Sequence, residues 1–275
     1  MAYNLLKGKK GIIFGALNEQ SIAWKVAQLA VAEGAEIILS NTAMSIRMGT
    51  INELAKECNT IVVPADASSV EDLETVFDKS LEHFGGKVDF VLHSIGMSPN
   101  VRKGIPYEEL NYGFLDKTLD ISAVSFHKMM SVAYKKDAIN EYGSVVALSY
   151  MAAQRTLMGY SDMADAKALL ESFARSFGAV YGLKKKVRVN TVSQSPTPTT
   201  AGSGVSVMHS LLDYCGDMSP LGNASAEDCA NYVITLFSDL TRKVTMQNLY
   251  HDGGFSSMTM TPTIMEAYDR GMDKE

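Results

Sequence analysis

A chain of 275 residues with 46% hydrophobic content can bury one large core, and a formal net charge of −6 gives no footing for a nucleic-acid partner. No apolar run approaches the ~20 residues needed to span a bilayer, so no membrane association is expected, and residues 1–10 lack the apolar core of a signal peptide. The three cysteines, Cys58, Cys215 and Cys229, are widely spaced and odd in number, which fits a reducing cytoplasm and predicts neither a disulfide framework nor a metal site.

Strand and helix patterns alternate along the chain. Residues 11–14 form a short apolar strand, and 21–33 a helix with Ile22, Val26, Leu29 and Ala30 on one face. A second strand at 36–39 and a helix at 51–57 follow. Residues 61–63 make a third strand, and 70–84 a helix that Ser69 can cap. The fourth strand is 88–93, and a long helix covers 116–137. A fifth strand, 143–148, leads to a helix starting near Tyr160. The sixth strand is 187–192, a helix spans 226–237, and the last strand is 248–251. This alternation, with no break in composition, predicts an α/β protein: one domain over residues 1–275, built on a doubly wound parallel sheet of about seven strands. The irregular stretch 193–221 begins rich in Ser, Thr, Pro and Gly and turns helical after Val205. It reads as a small substrate lid within that domain.

Three turns fall at the edge of such a sheet where ligands bind. In the first, Phe14-Gly15-Ala16-Leu17-Asn18-Glu19-Gln20-Ser21-Ile22-Ala23, Gly15 permits a tight turn, and small groups let backbone N–H donors and the helix N-terminus approach a pyrophosphate. The turn is longer than G-x-G-x-x-G, with Ser21 and Ala23 where later glycines would stand. An ordinary N-cap at Ser21 is the alternative. After the third strand, Asp66 beside Ala67 can accept from an adenine amino group or simply end the strand. After the fourth, Ser94-Ile95-Gly96 offers close backbone approach beside a nicotinamide ribose. His93 has no acid near it in sequence and reads as structural.

The stretch 148–175 carries the chemistry. Tyr160 and Lys167 are seven residues apart, two helical turns with about 20° of drift, so on one helix they share a face. An ammonium there favours the phenolate, lowers the tyrosine pKa and makes the hydroxyl a better donor to a developing oxyanion. Tyr150 stands at the carboxyl end of the preceding strand. A Tyr and Lys at this spacing also occur on helices without any chemistry. The nucleotide-type turns upstream, in the right order, give the pair its weight.

Gly15-Ala16 with Ser21-Ile22-Ala23, His93-Ser94-Ile95-Gly96, Asp120-Ile121-Ser122, Leu148-Ser149-Tyr150, Val187-Arg188-Val189-Asn190 and His251-Asp252-Gly253-Gly254-Phe255 together resemble the bacterial NADH-type enoyl-acyl-carrier-protein reductases. These belong to the Rossmann-like short-chain dehydrogenase/reductase superfamily. The resemblance spans roughly residues 5–257 and turns on one spacing. Ordinary short-chain dehydrogenases carry Tyr-x3-Lys, whereas this chain has Tyr160-x6-Lys167, with Ala at position 164. The resemblance implies NADH-dependent reduction of a trans-2-enoyl thioester on acyl carrier protein. Tyr160 would donate to the thioester oxygen, Lys167 would hold the nicotinamide ribose, and Tyr150 would line the acyl site. Gly15, Ser21 and Ile22 would hold the pyrophosphate side. Asp66 and Ala67 would frame adenine, Ser94, Ile95 and Gly96 the ribose, and Thr197 and Thr199 the nicotinamide amide and phosphate. Met158, Met163 and Met208 would line an acyl channel or pack in the core. A homotetramer is implied through the helices beginning near Asp116 and Tyr160, with Ala164, Ala166, Ala168 and Ala174 allowing close approach.

The chain departs from that pattern in three places. Ser195-Pro196-Thr197-Pro198-Thr199 replaces Gly-Pro-Ile-x-Thr. Ser206, His209 and Ser210 stand in the lid where family members carry Lys or Arg toward the acidic carrier protein. The second strand ends in Ser40-Asn41-Thr42, with no acid to read a ribose 2′-hydroxyl. These neutral groups still favour NADH over NADPH, because the nearest cation is Arg47. A short-chain reductase acting on a ketone and a non-catalytic dinucleotide-binding protein are the rival readings.

Overall fold

The apolar runs pair into one all-parallel sheet. A computed structural model describes residues 3–199 and 208–272. Its strands are β1 (Lys10–Phe14), β2 (Glu36–Asn41), β3 (Val62–Pro64), β4 (Val88–His93), β5 (Ile139–Ser149), β6 (Arg188–Gln194) and β7 (Asn248–His251). They lie in the order β3-β2-β1-β4-β5-β6-β7, every neighbouring pair parallel. Alternation along a strand sends successive side chains to opposite faces. In β1, Ile12 and Phe14 join one apolar layer and Ile13 the other.

Helices cover both faces. On one side lie α1 (Ile22–Ala32), α2 (Ala43–Met48) and α3 (Ile51–Glu57). Then come α4 (Val70–Phe84), α5 (Pro99–Arg102), α6 (Tyr112–Leu119) and α7 (Ser125–Lys135), with α8 (Asp162–Lys185), α9 (Met208–Met218), α10 (Ala226–Phe237) and α11 (Pro262–Met272) completing the chain. Trp24 of α1 and Phe237 of α10 pack on one face, while Phe77, Phe126, Leu170 and Tyr181 from α4, α7 and α8 pack on the other. Burying side chains of this size contributes roughly 1.5–3 kcal/mol each. The best-marked helices end where the sequence says. The Ser69 hydroxyl accepts from Asp72 N at 3.1 Å, Gly85 closes α4 at φ 62°, and Ser225 with Asp228 forms a reciprocal cap on α10.

Four expectations are corrected. The predicted helix 116–137 is α6, a π turn over Asp120–Val124, and α7. β5 begins at Ile139 rather than at residue 143, because Tyr142 takes a positive φ of 62° and the pairing with β4 shifts register between Val88 and Phe90. α2 and α11 were not expected. Finally, α8 starts at Asp162, so Tyr160 precedes the helix. Of the alanines predicted for intersubunit contact, Ala166 and Ala174 are buried inside the chain, which leaves Ala164 and Ala168. The lid helix α9 rests Leu211, Cys215 and Met218 on Phe255. Residues 200–207, Ser206 among them, lie outside the described residues, as do the side chains of Met208 and His209. The three cysteines are free and buried.

Candidate active site

The strand order reverses at β1, whose neighbours β2 and β4 run to opposite sides of the sheet. A crevice beyond the carboxyl ends of the strands is the ligand position in this architecture. The turn after β1 and the turn after β4 touch there. Gly15 has φ 98°, and a Cβ on it would sit 2.0 Å from Ser94 O. The glycine is therefore required both by its conformation and by the closeness of the two turns. Asn41 Nδ2 donates to Ala16 O at 2.8 Å, and Thr50 N donates to Leu17 O at 3.0 Å, so the end of β2 and the start of α3 brace the first turn. Ser21 is the N-cap residue of α1 by position, but its hydroxyl faces back into the loop, donating to Asn18 O at 2.6 Å and accepting from Leu17 N. The Ser21 side chain makes no cap on α1, and Ile22, the first residue of that helix, lines the cleft.

The adjoining cleft is walled by Ser94, Ile95 and Gly96 after β4, by Tyr150 after β5, and by Tyr160, Lys167, Thr197 and Thr199. Tyr160 reaches it from the turn before α8. Ser161, between Tyr160 and the helix, has φ 48° and ψ −140°, a conformation that costs an L residue on the order of 1–3 kcal/mol. The rings of Tyr150 and Tyr160 are 5.0 Å apart between centroids. Lys167 Nζ donates to Leu148 O at 2.7 Å and lies 3.7 Å from the point a Cβ on Gly96 would occupy. An ammonium has three donors, so two remain for a ligand.

Burial, and not the ammonium, sets the proton affinities here. Tyr160 is pushed above the usual phenol value by desolvation, which corrects the expectation that Lys167 lowers it. Tyr150 is raised for the same reason, with Cys215, Tyr160 and Asp252 adding to it. Both rings therefore stay phenols at neutral pH and can donate. Lys167 is lowered to about 8 by desolvation, opposed by the Glu171 carboxylate one turn along. Glu171 is itself buried, accepting from Ser149 Oγ at 2.7 Å and Gln154 Nε2 at 2.8 Å. His93 is structural as expected. It is fully buried, paired with Ser125 Oγ at 2.9 Å, and lowered to about 3 by burial and then by Lys167.

Some predicted residues stand apart from the cleft. Gly15 and Ser21 form the turn behind it. Asp66 and Ala67 lie in the turn after β3, two strands from β1, and the Asp66 carboxylate accepts from Ser68 N and Oγ. Ser40 is fully buried, Asn41 Oδ1 accepts from Thr42 N, and Thr42 caps α2 through Ser45 N, so the acceptors expected at the end of β2 are engaged locally or enclosed. Met163 lines the cleft, whereas Met158 is 84% exposed and does not. Sequence reasoning missed Met97, Ser98, Arg102 and Gln194 in the cleft wall. The helix start at Ser98-Pro99, with Pro in the first turn, was the available signal for three of them. Among the described residues, no group of His, Cys, Asp and Glu could hold a metal ion, and no helix is long and apolar enough to cross a membrane.

Fold and cleft together define a doubly wound α/β protein with a ligand crevice at its topological switch point. The family model described as enoyl-(acyl carrier protein) reductase matches residues 15–256. The NADH enoyl-acyl-carrier-protein reductase 2 of Rhizobium meliloti is 34% identical over 263 residues, covering 94% of this chain and 96% of its own. The crystal structure of a FabI–NADH complex from Alistipes finegoldii is 76% identical, covers 94% of this chain and 92% of that one, and superposes with a TM-score of 0.93. A second FabI structure from that organism is 71% identical over the full length of both chains, with the same TM-score. The chain belongs to the enoyl-acyl-carrier-protein reductase family.

Proposed function

We propose that the protein reduces the trans-2 double bond of an enoyl thioester carried on acyl carrier protein, with NADH as coenzyme, in the elongation cycle of fatty acid synthesis. The observation that carries this reading is the convergence of Tyr150, Tyr160 and Lys167 on one cleft beside the switch point. The residues present fit a dinucleotide. The N-terminus of α1 takes no cap from the Ser21 side chain, which suits a pyrophosphate. Lys167 has donors to spare for ribose hydroxyls, and Thr197 and Thr199 face the same space. NADH, when bound, supplies a hydride to the β-carbon.

The chain's own part is electrostatic. As the β-carbon gains the hydride, the double-bond electrons move toward the thioester oxygen. Tyr160 donates a hydrogen bond to that oxygen, and its raised proton affinity keeps the donor protonated. Lys167 orients the ribose and keeps positive charge near the developing enolate. Tyr150 Oη is buried with no hydrogen-bond partner among the described residues. It is placed to position the thioester or to pass a proton toward the α-carbon, which completes the saturated product. Gly15, Ser21 and Ile22 hold the pyrophosphate side, Ser94 to Gly96 the ribose, and Asp66 with Ala67 the adenine end. The protein is cytoplasmic and works as a homotetramer assembled through α6, α7 and α8. On α8, Val180 and Leu183 are 41% and 82% exposed, an apolar surface that supports such an assembly. NADH oxidation with a crotonyl thioester, against a ketone control, tests the reaction. Turnover of the ketone alone overturns it.

A further inference from the structure

Asp162 is a fully buried carboxylate that the reaction itself does not use. Its Oδ1 accepts from Ser98 Oγ at 2.5 Å and its Oδ2 from Asn100 Nδ2 at 2.7 Å, partners more than sixty residues away in sequence. A carboxylate withdrawn from water is costly unless donors meet it, and here each oxygen has one. A favourable interaction with the helix dipole does not require this burial, because Asp165 supplies a partly exposed charge in the same first turn.

The bonds join the two walls of the cleft. One wall is the turn Ser94–Ser98. Met97 is fixed to the π turn by reciprocal bonds with Ser122 Oγ, at 3.0 Å to Met97 N and 3.1 Å to Met97 O. Ser98 next to it accepts from Val101 N, and Asn100 Oδ1 accepts from Asn111 N at the start of α6. The other wall is Tyr160 with Lys167. Asp162 follows Tyr160 by two residues, through Ser161 with its positive φ. Ser161 Oγ donates to Ile105 O at 3.3 Å, a further tie from the Tyr160 wall to the stretch just after α5. A residue held at positive φ persists only where its surroundings over-determine it, and Asp162 is the anchor immediately after it.

We infer that Asp162 is a positioning residue: through Ser98 and Asn100 it clamps the turn after β4 to the start of α8, and so fixes the aim of Tyr160 into the cleft relative to Gly96 and Lys167. The inference rests on the enoyl reductase reading, and wild-type turnover separates the two. A wild-type chain that does not consume crotonyl thioester overturns both. A wild-type chain that does, with an unimpaired variant, overturns the positioning role alone.

The test is steady-state kinetics and NADH binding on Asp162→Asn. Replacing the carboxylate with an amide leaves one acceptor for two donors, so an NH2 group now meets either the Asn100 amide or the Ser98 hydroxyl. The expected result is a fall in kcat of ten-fold or more, with NADH Kd and thioester KM within two-fold of wild type. A kcat within two-fold of wild type in Asp162→Asn overturns the inference. So does a loss of NADH affinity in step with kcat. If Asp162→Asn does not yield folded, NADH-binding protein, Ser98→Ala and Asn100→Ala each remove one donor. They are expected to lower kcat with KM unmoved, and a kcat within two-fold of wild type in both overturns the proposal.

Discussion

On the β1–β3 side of the crevice the backbone does the holding, and on the β4–β5 side buried side chains do. The first turn is shaped by Gly15 against Ser94 O, by Thr50 N on Leu17 O and by the Asn41 amide on Ala16 O. On the proposed reading it is the side that meets the pyrophosphate. The second side concentrates the buried side chains of Lys167, Glu171, Asp162 and Tyr150 around the partly buried Tyr160. The contrast separates two tasks. Holding an anion needs fixed N–H donors, which any small side chain permits. Stabilising charge that appears only during a reaction needs groups whose protonation and aim are set beforehand.

Tyr160→Phe probes that difference most severely. Removing one preorganised donor to an oxyanion costs about 2.7–4 kcal/mol, on the order of a 100- to 1000-fold loss in kcat. NADH affinity is expected to stay within two-fold, because the phenol is not placed on the coenzyme's anchoring side. Pre-steady-state reduction of a crotonyl thioester with a parallel NADH titration checks both numbers. A kcat within ten-fold of wild type would move the donor role to Tyr150.

Lys167→Ala joins the two sides. It removes ribose donors as well as charge, so kcat and NADH affinity both fall, each by roughly ten-fold or more. The pH dependence of the wild type gives a second reading. The folded value for Lys167 is lowered from 10.5 to about 8. The ammonium is complete below that pH and is lost as pH rises through it, so NADH Kd rises above pH 8. For stability the sign is opposite to that of a paired lysine. Between about 8 and 10.5 the unfolded chain binds the proton and the folded chain does not, so stability gains with pH across that window. Equal NADH affinities in wild type and Lys167→Ala contradict the ribose role.

The same contrast governs how far the sequence could be read. Local signals were legible. Apolar runs marked each strand, Ser69 marked the start of α4, and the ends of β1 and β4 met at the crevice as their turns implied. The Tyr160–Lys167 pair was legible as a pair, but its geometry was not. Helical periodicity runs smoothly through Tyr160, and only the positive φ at Ser161 shows that the helix starts later. Nor could the sign of the Tyr160 shift be read from spacing, since desolvation depends on what closes over the ring. Glu171 on Ser149 and Asp162 on Ser98 and Asn100 are contacts between distant segments, and no local pattern announces them. α2 escaped notice because six residues without a buried side chain carry no apolar face.

Gly15→Ala breaks the backbone side. The added methyl would stand 2.0 Å from Ser94 O in a conformation that L residues rarely adopt. The turn must move, at a cost of roughly 1–3 kcal/mol, seen as a lower Tm. Because the moved turn carries the N–H groups proposed for the pyrophosphate, NADH Kd is expected to rise about ten-fold, while kcat at saturating NADH stays within three-fold. A loss of kcat with unchanged Kd would place the damage on the Ser94 side instead.

The smallest effect is expected at Arg47, and it sharpens the comparison by absence. A coenzyme with a 2′-phosphate needs an Arg or Lys beside the end of β2. Thr42 there is committed to capping α2, Asn41 to bracing the first turn, and Ser40 is enclosed. Arg47 sits in the last turn of α2, exposed, where its charge complements that helix's C-terminal dipole. Arg47→Ala should therefore leave kcat/KM for NADH, and its ratio to kcat/KM for NADPH, within two-fold of wild type, with NADH preferred in both proteins. Paired kcat/KM measurements on one enoyl thioester settle the point. A wild-type preference for NADPH that disappears in Arg47→Ala would make this arginine a phosphate reader, and the backbone side of the crevice would then use a side-chain charge after all.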